Sequence, residues 1–169
     1  MLTGPTAIYQ VASRLVTAIS DALAATAAGR PERACVTEGA VAWDACECGM
    51  LAVALERTYL SADFPAEAGV GQCDPPLIAA DLTIQVARCA AAVADDELAT
   101  PSCTALDASA QTVMTDAHVV ATVAACTLAE LEQTFEIVAY QVRPTLVVGP
   151  AGACVGSATR VTVGVNYSR

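Results

Sequence analysis

Hydrophobic residues repeat with two different periods along this 169-residue chain, and the order of those periods restricts its fold more than any other feature. Apolar side chains recur every three or four residues between Thr3 and Pro31 and again between Thr104 and Leu131, as in amphipathic helices. They alternate every second residue within 35–61, 77–90 and 135–165, as in strands. The sequence therefore predicts two helices separated and followed by strands.

This order of elements is typical of the α+β class. We expect two long helices packed on one face of a mostly antiparallel β-sheet, in a single domain spanning residues 1–169. Thr104 and Asp107 form a capping box at the expected start of the second helix. We also expect a C-terminal β-hairpin, and prolines and glycines predict exposed loops at 62–76 and 149–157.

The charge composition argues against a protein that grips nucleic acid. Eighteen acidic residues are set against eight arginines and no lysine, which gives a formal net charge of −10. Binding to DNA phosphates gains from a basic surface, whereas this chain repels phosphates on average. The same composition suits a surface past which DNA slides without sticking.

The low fraction of charged residues points to contacts with other chains. Only 15% of the residues are charged and 55% are hydrophobic, against about 25% charged in an average soluble domain. Charges interrupt every apolar stretch before it reaches the roughly 18 residues of a membrane-spanning helix, so we expect no membrane partner. The small residues before Gly29 resemble the cleavage site at the end of a signal peptide. Arg14 and Asp21, however, lie inside the segment that would have to be the apolar region of that peptide. Secretion with cleavage near Gly29 is therefore the less favoured alternative.

Eight cysteines permit disulfides or buried thiols. They occupy positions 35, 46, 48, 73, 89, 103, 126 and 154. Cys46 and Cys48 lie in the segment AWDACECGM beside Trp43, the only tryptophan, which we expect to fill the core. A turn at Glu38 and Gly39 is expected to bring Cys35 near Cys46 or Cys48, either as a disulfide or as buried thiols.

The same cysteines provide only a weak metal or redox signal. Zinc sites usually take ligands in C-x(2–4)-C pairs, and redox sites use C-x-x-C, whereas Cys46 and Cys48 are one residue apart. That spacing places two side chains on one face of a strand. A zinc site of Cys35, Cys46, Cys48 and Cys73 is therefore disfavoured, and we expect no metal and no other cofactor.

The sequence indicates no catalytic site. A cysteine nucleophile needs an imidazole nearby, and the only histidine, His118, lies on a polar flank of the second helix. Asp44 and Glu47 form a carboxylate pair that no pattern buries in a cleft, as acid–base catalysis requires. Neither a P-loop nor a Rossmann glycine pattern is present. We expect a protein that is not an enzyme.

Four segments carry a resemblance to a known family: CVTEGAVAWDACECGMLAV, YLSADFP, the RCA that ends the middle strand, and GPAGACVGSATRVTVGV. They resemble the small neck and tail-completion proteins of long-tailed, siphovirus-type bacteriophages that infect high-GC bacteria. The order of elements resembles the tail terminator family in particular. A head–tail stopper or adaptor of the same neck is the alternative.

The resemblance implies a structural virion protein of the tail–neck junction, assembled in the host cytoplasm. Its copies would form a closed ring, usually a homohexamer, on the last ring of the major tail tube protein. That ring ends tail elongation, receives the head–tail connector or stopper protein, and leaves a lumen through which genomic DNA passes without specific binding. Six copies would carry a formal charge of about −60, which suits such a channel.

The resemblance also suggests where the contacts lie. Docking contacts usually sit on loops, so the loops at 62–76 and 149–157 are expected to reach the adjoining rings. The acidic run at 95–97 is consecutive, unlike the spaced ligands of a calcium loop, and is expected at the lumen or rim. The expected docking residues are Asp63, Phe64, Pro65, Glu67, Asp74, Pro150 and Val155, and the expected lumen or rim acids are Asp95, Asp96 and Glu97.

Overall fold

The computed structural model describes residues 5–39, 49–68, 77–91, 101–151 and 153–166. Two helices and six strands lie within these ranges. In chain order they are α1 (Pro5–Leu23), β1 (Arg33–Thr37), β2 (Met50–Ser61), β3 (Leu77–Cys89), α2 (Cys103–Gln133), β4 (Ala139–Val142), β5 (Leu146–Ala151) and β6 (Cys154–Asn166).

The six strands form one mixed sheet in the order β1-β2-β3-β6-β4, with β5 also paired to β6. β4 pairs with residues 161–164 of β6 and β5 pairs with residues between 154 and 158, so both flank the same edge of β6. β1 runs parallel to β2, and every other pairing is antiparallel. The long strands β3 and β6 therefore form the centre of the sheet.

Both helices pack on one face of this sheet around a single hydrophobic core. The apolar spacing of α1 turns one stripe of side chains inward, and α2 does the same along its second half. Alternate residues of the central strands point toward the helices and form the other side of the core. The fully buried members include Val11, Leu15, Ile19, Leu23, Val120, Leu128, Leu82, Ile84, Val86, Val161 and Val163.

The expectation of two long helices is wrong, and the sheet, although most of its pairings are antiparallel, is mixed. Only α2, with 31 residues, is long, whereas α1 has 19 and ends at Leu23. Past that point the chain makes tighter turns, in which the Thr26 amide and hydroxyl both donate to the Leu23 carbonyl, at 3.0 and 2.8 Å. The sheet is mixed because β1 is parallel to β2 rather than folded back on it by the turn at Glu38 and Gly39.

Two further expectations about local structure are corrected. Residues 149–151 and 154–157 belong to β5 and β6, so Pro150 and Val155 are strand residues and not loop residues. Gly156 marks a close approach of strands, since a Cβ atom there would lie 1.9 Å from the Val86 carbonyl oxygen. The cap of α2 is Ser102, whose hydroxyl accepts from the Ala105 amide at 3.2 Å, and not the Thr104 capping box.

Candidate functional site

Neither α1 nor α2 packs on the opposite face of the sheet, here called the open face. A register shift between Leu55 and Arg57 interrupts the pairing of β2 with β3. Such a bulge re-aims the side chains that follow it. As a result Arg57 pairs across from Asp81, and Tyr59 follows it on the same face. The open face thereby acquires large polar side chains at its centre.

These side chains line a shallow groove of about 630 Å³ on the open face. It contains tyrosine and arginine, two residue types enriched at the centre of protein–protein interfaces, together with the acids Glu56 and Asp81. We call this feature the groove. Its lining includes Arg57, Arg143, Arg160, Tyr59, Asp81, Thr83, Pro65, Pro144 and Leu146.

Asp81 is the anchor of the groove. Its carboxylate is nearly buried and accepts from Arg57 Nε and from the Thr162 hydroxyl, each at 2.7 Å. The Asp81 carboxylate raises the pKa of the Arg57 guanidinium. Burial raises the pKa of the Tyr59 phenol, and the nearby Asp81 charge raises it further. Arg57 also lies over the Tyr59 ring, 4.6 Å from its centroid, so the cluster is held as one unit.

Two other arginines extend the positive side of the groove. Arg160 pairs with Glu56 at 2.9 Å and keeps a side chain that is 57% exposed. Arg143 is exposed and forms no ion pair with any described residue. Beside it, Leu146 is 66% exposed and Val147 is 64% exposed on β5, an edge strand. An apolar rim therefore adjoins a cluster of ion pairs and the exposed Arg143.

The described part of the first expected docking loop is tied to the open face. The Tyr59 hydroxyl donates to the Pro65 carbonyl at 2.9 Å, and the Ser61 hydroxyl donates to the Ala66 carbonyl at 2.7 Å. Phe64 is half-buried and lies over Gly164 of β6. Asp63 and Glu67 remain exposed, and Glu67 pairs with Arg57 at 3.4 Å. The described part of this loop is thus part of the groove wall, and its charged side chains Asp63 and Glu67 are exposed.

The outer face of α2 is a second unusual surface. Between Asp107 and Glu130 the only acidic or basic side chain besides His118 is Asp116, which is buried. The exposed positions over this stretch are small or neutral, and include Gln111, Met114, His118, Thr122 and Cys126. By length and composition α2 is apolar enough to cross a membrane, but its inner face packs on the sheet. It is a core helix whose outer face lacks the usual charges.

The end of α2 carries an exposed aromatic residue in a strained conformation. The Phe135 amide donates to the Glu132 carbonyl and the Glu136 amide to the Leu131 carbonyl, which is the Schellman pattern that closes a helix. Glycine usually occupies the left-handed position of this motif, but here Phe135 holds it with φ of 57°. Its side chain is 76% exposed. Glu130 and Glu132 flank it, and neither forms an ion pair with a described residue.

Of the expected cysteine group, only Cys35 lies within the described residues. Cys35 is a half-buried thiol of β1 outside any disulfide, so the expected disulfide of Cys35 is wrong. Cys154 is disulfide-bonded and fully buried at the start of β6. The described residues contain no group of three or more His, Cys, Asp or Glu side chains arranged to hold a metal. Trp43, Cys46, Cys48, Asp74, Asp95, Asp96 and Glu97 lie outside the described residues.

The surfaces described above were missed by sequence reasoning. Strand alternation places Arg57 and Asp81 on separate segments and gives no sign of the bulge that makes them neighbours. The sequence pattern places Phe135 only within a strand-like segment. The one available signal was the absence of charge between Asp107 and Glu130, which the sequence shows directly.

Comparison with known proteins adds no relative. No model of a known protein family matches the chain, and no curated protein sequence is significantly similar to it.

Proposed function

We propose that this chain is a ring-forming structural protein of a phage neck, a tail terminator that caps the tail tube. In this role it ends tail elongation and joins the tail to the head connector while leaving a channel for DNA. The observation that carries the proposal is a pair of unlike, interface-type surfaces on opposite sides of one sheet. One is the groove with its exposed Leu146, and the other is the helix layer with its uncharged outer face and Phe135.

Two unlike surfaces on opposite sides favour head-to-tail assembly. A subunit that presents one surface forward and a different one backward contacts the next copy heterologously, and such contacts close into rings or extend into filaments. A two-fold dimer would need only one self-complementary patch. The resemblance to tail terminators supports the ring in particular, with six copies as the expected number.

The charge balance supports a channel rather than a binding site for DNA. A ring of copies with a formal charge of −10 each repels phosphates. Genomic DNA can then pass through the lumen without being retained. Catalysis has no part in this proposal. A head–tail stopper or adaptor ring shares each of these features and is the alternative within the same neck.

One observation favours a different class, a secreted binding domain stabilised by disulfides. Cys154 is disulfide-bonded, and disulfides persist mainly in oxidising compartments. Cleavage near Gly29, however, would remove α1, whose Val11, Leu15 and Ile19 are fully buried in the core. The loss of that much buried apolar surface would unfold a domain of this size. The terminator is therefore the better supported proposal.

Assembly on tail tubes tests the function directly. The purified chain is added to tail tubes of the phage that encodes it, and complexes are examined by light scattering and negative-stain electron microscopy. A terminator forms a ring on one tube end and stops further growth when tube protein is supplied. Binding only to the head connector would identify a stopper or adaptor instead. A monomer that binds neither would contradict a neck role, and an N-terminus starting near Gly29 would favour the secreted domain.

A further inference from the structure

We propose that the groove receives the Phe135 end of α2 from a second copy of this chain. The contact would consist of Phe135 flanked by Glu130 and Glu132, here called the knob, against Arg143, Arg160 and Leu146 of the neighbouring copy. The inference rests on the proposed function, because it names the subunit contact that builds the ring.

The backbone of the knob is strained at Phe135, and the fold of the subunit does not require a side chain at that position. A bulky residue at positive φ is uncommon and strained, whereas glycine would close the same Schellman motif without strain. Phe135 is also the most exposed of the large apolar side chains among the described residues, at 76%. Strain at an exposed aromatic residue points to a contact outside the subunit.

The electrostatics of the knob call for a positive partner. The carbonyl groups at the end of a helix form its negative pole. α2 has no basic residue in its last turn and carries Glu130 and Glu132 there instead. Within the subunit the only described cation that pairs here is the exposed Arg14, which binds Glu136 at 3.1 Å, so Glu130 and Glu132 stay without an ion pair among the described residues. The arrangement becomes favourable when cationic side chains of another molecule approach.

The groove has the complementary chemistry. It contains three of the eight arginines in a strongly acidic chain, together with the acids Glu56 and Asp81. Arg57 and Arg160 pair with these acids, whereas Arg143 has no acidic partner among the described residues. Leu146 provides an apolar contact for an aromatic ring, and arginine planes also stack on aromatic faces. An acidic aromatic knob therefore finds in the groove an arginine without an acidic partner among the described residues, Arg143, and an exposed apolar side chain, Leu146.

The occupant is a second copy and not the same chain. The knob lies at the end of a helix on the covered face of the sheet, whereas the groove lies on the open face. One subunit thus offers the knob on one side and the groove on the other. Repetition of this contact is heterologous, as a ring requires.

Charge exchange between two variants tests the contact. The knob variant is E130R/E132R and the groove variant is R143E/R160E, and each pure variant places like charges in the interface. We expect each to raise the concentration needed for self-assembly by at least about tenfold, measured by analytical ultracentrifugation alone and on tail tubes. An equimolar mixture restores assembly, because every contact in an alternating ring then joins opposite charges. The variant D21R/E32R changes net charge as much as the knob variant and is expected to assemble normally.

A third variant, F135G, removes the aromatic side chain at a position that suits glycine. We expect it to fold and to lose self-assembly as the charge variants do. Normal assembly of F135G and of both charge variants, or a mixture that fails to recover, would overturn the knob-and-groove contact. The proposed function would survive if those variants still capped tail tubes. Variants that assemble normally but no longer bind tubes would show that the groove receives the tube protein, which also overturns the inference.

Discussion

Arg88 of β3 forms a buried bidentate ion pair with Asp116 of α2. Arg88 Nε donates to Asp116 Oδ2 at 2.7 Å and Nη2 donates to Oδ1 at 3.2 Å. The same guanidinium donates to the carbonyls of Ala28 and Gly29 at 3.4 and 2.9 Å. It therefore joins the sheet, the long helix and the turn after α1 in a single polar cluster whose donors and acceptors are largely satisfied.

Removal of the carboxylate from this cluster should strongly destabilise the fold. Asp116→Ala leaves the Arg88 charge buried without its counterion, and breaking a buried pair in this way costs about 3–5 kcal/mol. We expect a loss of that size in the free energy of unfolding, measured by urea denaturation. Asp21→Ala breaks the exposed pair with Arg30, which is worth at most about 1 kcal/mol. Equal losses in the two variants would refute a special role for the buried pair.

The strands β3 and β6 approach too closely for any side chain at Gly156. A Cβ atom there would lie 1.9 Å from the Val86 carbonyl oxygen. Gly156→Ala must therefore push the two central strands apart, and overpacking of this kind costs about 1–3 kcal/mol or more. We expect a lower midpoint of thermal unfolding and weaker amide protection in both strands by hydrogen exchange.

Ser157 provides the matched control on the same strand. Its buried hydroxyl has no hydrogen-bond partner among the described residues. Removal of an unsatisfied buried polar group is neutral or stabilising. Ser157→Ala should therefore leave the unfolding midpoint unchanged or raise it. If Gly156→Ala behaves like Ser157→Ala, the close approach of the strands would be contradicted.

The sequence predicts local elements better than it predicts the neighbours of a residue. The three- and four-residue spacing of Val11, Leu15 and Ile19 is enough to predict a helix with one buried face. The partnership of Arg88 with Asp116 spans 28 residues and follows from no local pattern. The glycines near 149–157 mislead because glycine serves close strand packing as well as loops. Tertiary contacts, not local patterns, decide the last two of these cases.

The Tyr59 phenol should titrate above the usual range of tyrosine. Burial raises the pKa of Tyr59, and the neighbouring Asp81 carboxylate adds to this effect. A raised pKa favours the neutral phenol in the folded state. Its contribution to stability is therefore complete below about pH 10, where unfolded tyrosine begins to ionise, and is lost as the pH rises through the folded pKa.

Two measurements on Tyr59→Phe test this assignment. The difference in phenolate absorbance between wild type and variant isolates the titration of Tyr59, which should lie above that of free tyrosine. The stability of the wild type relative to the variant should fall with rising pH only above about pH 10. A normal midpoint for the difference spectrum would show that the groove leaves this phenol solvated.

Phe135 should lower the free energy of unfolding of the subunit that carries it. A left-handed residue other than glycine costs roughly 1–2 kcal/mol, while the greater freedom of glycine in the unfolded chain offsets about 0.5–1 kcal/mol. Because the side chain is 76% exposed, its removal sacrifices little packing. Phe135→Gly should therefore leave the free energy of unfolding of the monomer unchanged or raise it by up to about 1 kcal/mol, measured by urea denaturation below the assembly concentration. A clear loss of stability would mean that the phenyl ring packs within its own subunit, and it would remove the reason to assign that ring to a neighbour.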